Sequence, residues 1–290
     1  MDPRILHRLR CPVCAEPLEQ ASDTKALRCP RRHSFDIARQ GYVNLLTGRA
    51  PHVGDTPEMV AARADFQAAG HYDVISAALA AAAAEAAGRL RAMPTLDFGA
   101  YPLVVDAGAG TGRYLGAVLA ALPDAVGLAL DVSKPALRRA ARAHPRAAAA
   151  LADTWQRLPL ADASTAVLLN VFAPRNGPEF HRVLDPAGTL LVVTPTADHL
   201  AELVDALDLL RVDPDKADRV TASLGGHFTP VSAAVHRAKL ALTRPEVATV
   251  VGMGPSAWHT DPDALATRLA ALPEPVRVTV AVRLDVLRPR

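Results

Sequence analysis

The stretch VVDAGAGTGRYL, residues 104–115, constrains the fold of this 290-residue chain more than any other. An apolar run ends in Asp106, glycines follow at positions 108, 110 and 112, and a helix-forming segment starts at once. Glycine at that density serves a backbone that turns through positive φ and must approach a ligand closely. The surrounding chain has the matching rhythm. AVGLALD, AAAALAD, STAVLLNVFAP and GTLLVVTP read as further buried strands, with YLGAVLAAL, KPALRRAARAH and PEFHRVL as helices between them. Strands and helices alternating in units of this length predict an α/β fold with a mostly parallel, doubly wound sheet. The closing VRVTVAVRLDVL has a period of two and is expected to join that sheet as a late antiparallel strand, with another strand around AVHRAKLALTR.

Two chemistries use such a glycine turn. Dinucleotide enzymes place a pyrophosphate on it, usually with G-x-G-x-x-G spacing. The form found here, an acid followed by G-x-G-x-G, favours instead the amino-acid portion of S-adenosylmethionine in a class I methyltransferase. Asp106, Gly108, Gly110, Thr111 and Gly112 are therefore candidate cofactor residues. Asp131 closes the next strand, where a carboxylate can accept both ribose hydroxyls of an adenosine. Asp153, after the third strand, could accept from an adenine amino group, with Trp155 or Leu158 against the ring. Each glycine could merely serve a turn and each aspartate cap a helix. Their order at successive strand ends favours the cofactor reading.

All three cysteines fall in CPVCAEPLEQASDTKALRCPRRH, and a histidine completes the set. Cys11, Cys14, Cys29 and His33 have C-x2-C-x14-C-x3-H spacing, suited to a closed tetrahedral Zn2+ site of the structural kind. The intervening residues would form a short hairpin, too small to fold without the metal. A redox C-x-x-C or unrelated buried cysteines are the alternatives, but PVCAEPL lacks a thioredoxin-like strand–helix context.

Three segments are expected: a zinc-binding, knuckle-like unit over 1–38, a connector over 39–96, and a Rossmann-like domain over 97–290. The connector opens as loop and then forms two helices, the first capped by Thr56 with Pro57 behind it and stopped at Gly70. Net charge is only +2, but residues 1–50 carry nine Lys/Arg against five Asp/Glu, the remainder 23 against 25. A basic amino-terminal unit permits a nucleic-acid contact. No signal-peptide pattern is visible, and the alanine-rich run broken by Glu85 reads as a helix of a soluble, cytoplasmic protein.

With both motifs in hand, the chain resembles the 23S rRNA (guanine-N1)-methyltransferases of the RlmA family, in particular the actinobacterial TlrB-like branch associated with resistance to tylosin-type macrolides. The resemblance covers essentially the whole chain. It rests on LRCPVCAEPL, CPRRHSFDIARQGYVNLL, MVAARADFQAAGHY, VVDAGAGTG, LNVFAPRN, GTLLVVTPTADHLAELVDAL and MGPSAWHTDPD. It implies an amino-terminal zinc domain, a Rossmann-like methyltransferase domain, 23S rRNA as partner, and often a homodimer. It also implies cofactor contacts at Tyr72, Thr111–Gly112 and His199, and zinc ligands at Cys11, Cys14, Cys29 and His33. Residues 41–56 would help to cover the cofactor or the RNA.

The acceptor guanine would sit at the end of the fourth strand, lined by Asn170, Phe172, Ala173 and Pro174, with Phe172 as a stacking surface or simply core. His199, Asp55 and Arg175 are candidates for the base. Arg4, Arg8, Arg10, Lys25, Arg28, Arg31 and Arg32 would grip RNA. Deleting 1–38 is expected to spare cofactor binding and abolish rRNA methylation. A small-molecule methyltransferase of the quinone or natural-product type, and a non-catalytic RNA-binding protein, are the rival functions. The zinc unit speaks against the first, and the intact glycine turn against the second.

Overall fold

The computed structural model describes residues 1–22, 24–48, 54–91, 102–209, 223–254 and 261–290. The expected connector end at Leu96, residues 49–53 of the covering loop and most of MGPSAWHTDPD lie outside them.

The amino-terminal unit holds a one-turn helix α1 (Pro3–Leu6) and the strands β1 (Glu19–Gln20), β2 (Ala26–Arg28) and β3 (Ser34–Asp36). The three strands form an antiparallel sheet in that order, so the expected hairpin gains a third strand after the second ligand pair. With so little apolar side chain of its own, this ribbon finds its core elsewhere. Ile5, Leu9, Leu18 and Leu27 are fully or almost fully buried and share one cluster with Val105, Leu128 and Leu168 of the large sheet.

Among the described residues that sheet has eight strands, in the order β10-β11-β9-β8-β5-β6-β7-β4. Its centre is β5 (Leu103–Ala107), β6 (Val126–Asp131), β7 (Ala147–Leu151), β8 (Thr165–Val171) and β9 (Leu184–Pro195), all parallel. Strands β10 (Phe228–Leu242) and β11 (Val276–Pro289) follow, with β11 antiparallel to both β9 and β10, as the period-two pattern predicts. The remaining strand corrects an expectation. Residues 42–44, read as loop, form β4 (Tyr42–Asn44), which pairs parallel to β7 and extends the sheet. A three-residue strand whose partner lies far along the chain leaves no local periodicity to detect.

Helices α2 (Pro57–Ala68), α3 (Asp73–Arg91), α4 (Arg113–Ala121) and α5 (Lys134–Ala140) contribute to one face, with α7 (Ala201–Leu207), α8 (Arg244–Gly252) and α9 (Pro262–Ala271). The other face is covered by α6 (Gly177–Val183), through Phe180 and Val183, and by α1 with the ribbon. The ribbon stands where no helix follows β7. The Arg10 amide donates to Pro159 and the Ala161 amide to Arg8, tying the unit to the β7–β8 connection. The capping signals hold: Thr56 Oγ1 accepts from the Met59 amide at 3.2 Å, and Gly70 takes φ +83° beyond α2.

Candidate functional site

The carboxyl ends of β5 to β8 and the connector helices meet at one crevice, the usual ligand position of an open α/β sheet. The glycine turn is its floor. Gly108 has φ +82°, and a Cβ there would stand 2.4 Å from Ala173 Cβ, so the 172–174 loop rests directly on the turn. Gly112 has φ +78° and caps α4; a Cβ there would meet Ala140 Cα at 2.8 Å.

Four amides of the turn are already committed within the fold. Gly108 and Ala109 donate to the Leu130 carbonyl at 2.9 and 3.0 Å, and Gly112 donates to Ala109 at 2.9 Å. Gly110 donates to Asp131 Oδ2 at 2.8 Å, while Asp131 Oδ1 accepts from Ser133. A pyrophosphate needs several amides aimed outward, and here four of them point inward. The turn is built for close approach, not for holding phosphate.

The acids around it differ in state. Asp106 is 1 % exposed, and neither oxygen has a hydrogen-bond partner among the described residues. Burial, then the neighbouring Asp131, pushes it up to about 8. Burial also raises Asp131, against the two amides that it accepts. Asp153 accepts from the Trp155 amide through Oδ1 at 2.9 Å, and its buried Oδ2 is unpaired among the described residues, as an acceptor reserved for an amino group would be. Leu158 is core at 1 % exposure, which leaves Trp155, 51 % exposed, as the ring beside Asp153.

Connector residues close the crevice from above, and the sequence reading missed two of them. Gln67, buried in α2, accepts from Thr111 Oγ1 at 2.6 Å. Arg63, one turn earlier, pairs with Asp55 and donates to the Met253 carbonyl at 2.7 Å. Ser133 Oγ donates to the Asp55 carbonyl at 2.8 Å and fastens the connector to the β6–α5 turn. Both residues looked like polar positions on an amphipathic helix, a pattern that normally marks a solvent face.

Tyr72, Phe172 and His199 form a ring cluster with centroids 5.8 to 6.2 Å apart. Phe172 is 38 % exposed with φ +54°, so it is held out of the core. Asn170 departs from expectation. It is fully buried, its amide donates to the Ala107 and Pro174 carbonyls at 3.2 and 2.8 Å, and it shapes the acceptor loop without facing it. Strand β8 is buried along its whole length, so alternation could not tell which face Asn170 takes. None of the three candidate bases stands ready: Asp55 is bound to Arg63, Arg175 is a guanidinium, and His199 Nδ1 accepts from the Ala281 amide.

In the ribbon, the ligand atoms of Cys11, Cys14, Cys29 and His33 lie within 4.8 Å of one another. Cys14 Sγ is 3.6 Å from Cys29 Sγ, and His33 Nδ1 is 3.3 and 3.5 Å from Cys29 and Cys11. Tetrahedral Zn2+ with ordinary Zn–S and Zn–N bonds sets its ligand atoms about 3.5–3.8 Å apart, so the set fits a closed structural site. Both turns that present the ligands use a left-handed residue, Ala15 at φ 59° and Arg32 at φ 68°. Burial pushes Cys11 up to about 11. Cys29 is also raised by burial, but the His33 amide and the Cys14 and Cys11 side chains bring it down to about 7. The basic residues divide. Lys25, Arg28, Arg31 and Arg32 are exposed on the ribbon, whereas Arg4, Arg8 and Arg10 are half-buried, Arg4 bonding Asp2 and the other two bonding backbone carbonyls. Only the first four form an outward basic surface.

Residues 9–49 match the family model described as RlmA, N-terminal, a zinc ribbon. A protein of Micromonospora griseorubida, provisionally named a 23S rRNA (guanine-N1)-methyltransferase, is 70 % identical over the full length of both chains. The 23S rRNA (guanine(748)-N1)-methyltransferase of Streptomyces fradiae is 52 % identical over all of this chain and 99 % of its own. YxjB of Bacillus subtilis strain 168, also provisionally named a 23S rRNA (guanine-N1)-methyltransferase, is 30 % identical over 96 % of this chain and 95 % of its own. A zinc ribbon fused to an acidic class I crevice, and full-length identity at these levels, place the chain in the 23S rRNA (guanine-N1)-methyltransferase family.

Proposed function

We propose that the protein transfers a methyl group from S-adenosylmethionine to N1 of a guanine in 23S rRNA, and that the guanine is the one for which its Streptomyces fradiae relative is named, guanine 748. The observation that carries the reading is the crevice: a glycine turn with its amides turned inward, ringed by carboxylates, beside an exposed aromatic ring. Such a site suits a cationic cofactor better than a dinucleotide. When bound, S-adenosylmethionine supplies a methyl group on a sulfonium, a leaving group that needs no acid. Asp131 would take the ribose hydroxyls, Asp153 Oδ2 the adenine amino group, and Tyr72, Thr111 and His199 would complete the cofactor contacts. Phe172 and Pro174 would face the acceptor guanine, splayed from its loop onto the Phe172 ring.

With none of the candidate bases available, the N1 proton would leave to solvent water as the N1–C bond forms and the S–C bond breaks, and the protein's main contribution is to hold N1 in line with the methyl group. The ribbon's Lys25, Arg28, Arg31 and Arg32 would engage RNA phosphates. The reading extends to the cytoplasm, to a homodimer and to reduced binding of tylosin-type macrolides, tested by sedimentation and by drug tolerance of a host expressing the chain. The deciding experiment incubates unmodified 23S rRNA with protein and labelled cofactor, then maps stops by primer extension, since N1-methylguanine blocks reverse transcription. A stop at the guanine equivalent to 748 is expected. Label in small molecules and none in rRNA would favour the quinone or natural-product reading.

A further inference from the structure

The amino-acid end of the cofactor brings a carboxylate into a crevice that already holds Asp55, Asp106, Asp131 and Asp153. A carboxylate needs either a cradle of amides or a fixed cation. Such a cradle is depleted here, because the amides of residues 108, 109, 110 and 112 are spent within the fold. Among the described residues a cation lies directly on the turn. Arg63 Nη1 is 3.5 Å from where a Cβ of Gly110 would stand, so the guanidinium packs on the bare side of that glycine.

We propose that Arg63 is the carboxylate-binding residue of the cofactor site, resting on the reading of that site as one for S-adenosylmethionine. The guanidinium has five N–H donors, and its bonds to Asp55 and to the Met253 carbonyl use two. The rest can take a carboxylate at the turn without breaking either bond. Met253 follows α8, Arg63 lies in α2 and Asp55 lies before it, so three separate segments set the position of the cation. Asp55 beside it supplies the opposite charge, and an α-amino acid zwitterion is complementary to that ion pair. Thr111, fixed by Gln67 one turn along α2, defines the neighbouring side of the same pocket. Helix α2 therefore reads the amino-acid end of the cofactor, whereas the strand ends read the nucleoside.

The test measures binding to the full-length zinc-loaded protein by calorimetry, with S-adenosylhomocysteine and with 5′-methylthioadenosine, which lacks the amino-acid end. Arg63→Met should weaken S-adenosylhomocysteine about 30-fold, the scale of a lost charge-assisted bond, and leave 5′-methylthioadenosine within about twofold. Arg63→Lys should fall between. Unchanged S-adenosylhomocysteine affinity in Arg63→Met overturns the proposal. Should that variant bind neither compound, the wild type decides: it must prefer S-adenosylhomocysteine over its decarboxylated analogue by at least about tenfold, and equal affinities overturn the proposal. A wild type that binds none of these compounds would instead defeat the cofactor reading itself.

Discussion

Tyr72 Oη lies 3.3 Å from His199 Nε2, and the other ring nitrogen of His199 accepts the Ala281 amide at 3.2 Å. The second contact fixes the tautomer of the neutral imidazole. With Nδ1 an acceptor, Nε2 carries the proton and donates it to the tyrosine oxygen. Burial keeps Tyr72 a neutral phenol by raising it well above the ordinary tyrosine range. Its own proton is thus directed away from His199. The two side chains, one just before α3 and the other in the turn between β9 and α7, behave as one hydrogen-bonded unit. Tyr72→Phe and His199→Asn should each raise the cofactor KM about tenfold, and the double variant should be no worse than roughly the larger single effect. Additive losses in a steady-state cycle would show that the two act independently.

The contact between Gly108 and Ala173 welds the cofactor turn to the acceptor loop. Gly108→Ala forces a Cβ into left-handed backbone and against Ala173, and should destabilise the fold by on the order of 2–4 kcal/mol. Urea denaturation measures it. Gly108→Ala with Ala173→Gly should recover only the steric share, since the φ of +82° remains.

The ribbon makes two separable contributions. Reversing Arg31 and Arg32 to Glu should leave cofactor affinity unchanged while weakening rRNA binding, with the log–log salt slope falling by about 0.7–1 per residue. Removing the metal with a chelator is different. It releases Ile5, Leu9, Leu18 and Leu27 from a core shared with β5 and β6, so the thermal midpoint of the whole chain should fall in a single transition. For the same reason, deletion of residues 1–38, expected from sequence to spare cofactor binding, should instead yield an insoluble protein. A soluble deletion product with normal cofactor affinity would contradict the shared core.

Asp106 predicts a pH dependence of stability. Its native value of about 8 stands above the ordinary aspartate value of 3.8, so between these the folded chain holds a proton that the unfolded chain has lost. Stability of the cofactor-free protein should therefore fall as pH rises from about 4 to about 8 and then level. Asp106→Asn should match the wild type near pH 4 and exceed it by on the order of 5 kcal/mol at pH 8. Parallel stability curves for the two proteins would exclude this role.

What could be read in the sequence followed from strong local signals. The parallel core was visible because each strand is a continuous apolar run closed by Gly or Asp. The metal ligands were visible because thiolate spacing has few other uses. The misses have physical reasons as specific. Arg63 and Gln67 were hidden because a helix position facing a polar crevice has the same composition as one facing water. Arg4, Arg8 and Arg10 looked like RNA contacts because charge counts do not report whether a guanidinium is turned back onto its own backbone. Asn170 reads as an acceptor-pocket residue because its place at a strand end is legible, whereas the direction of its side chain in a doubly buried strand is not.

The pairing of β4 with β7 also bears on how the chain is made. Tyr42 lies opposite Ala149, so an edge strand emerges from the ribosome about a hundred residues before its partner. At ordinary rates of synthesis that interval is on the order of 5–20 s. Throughout it, the ribbon can already hold zinc while Leu18, Leu27 and Val43 have nothing to cover them. A bound metal would hold the first forty-odd residues in one shape until the sheet arrives to close over them.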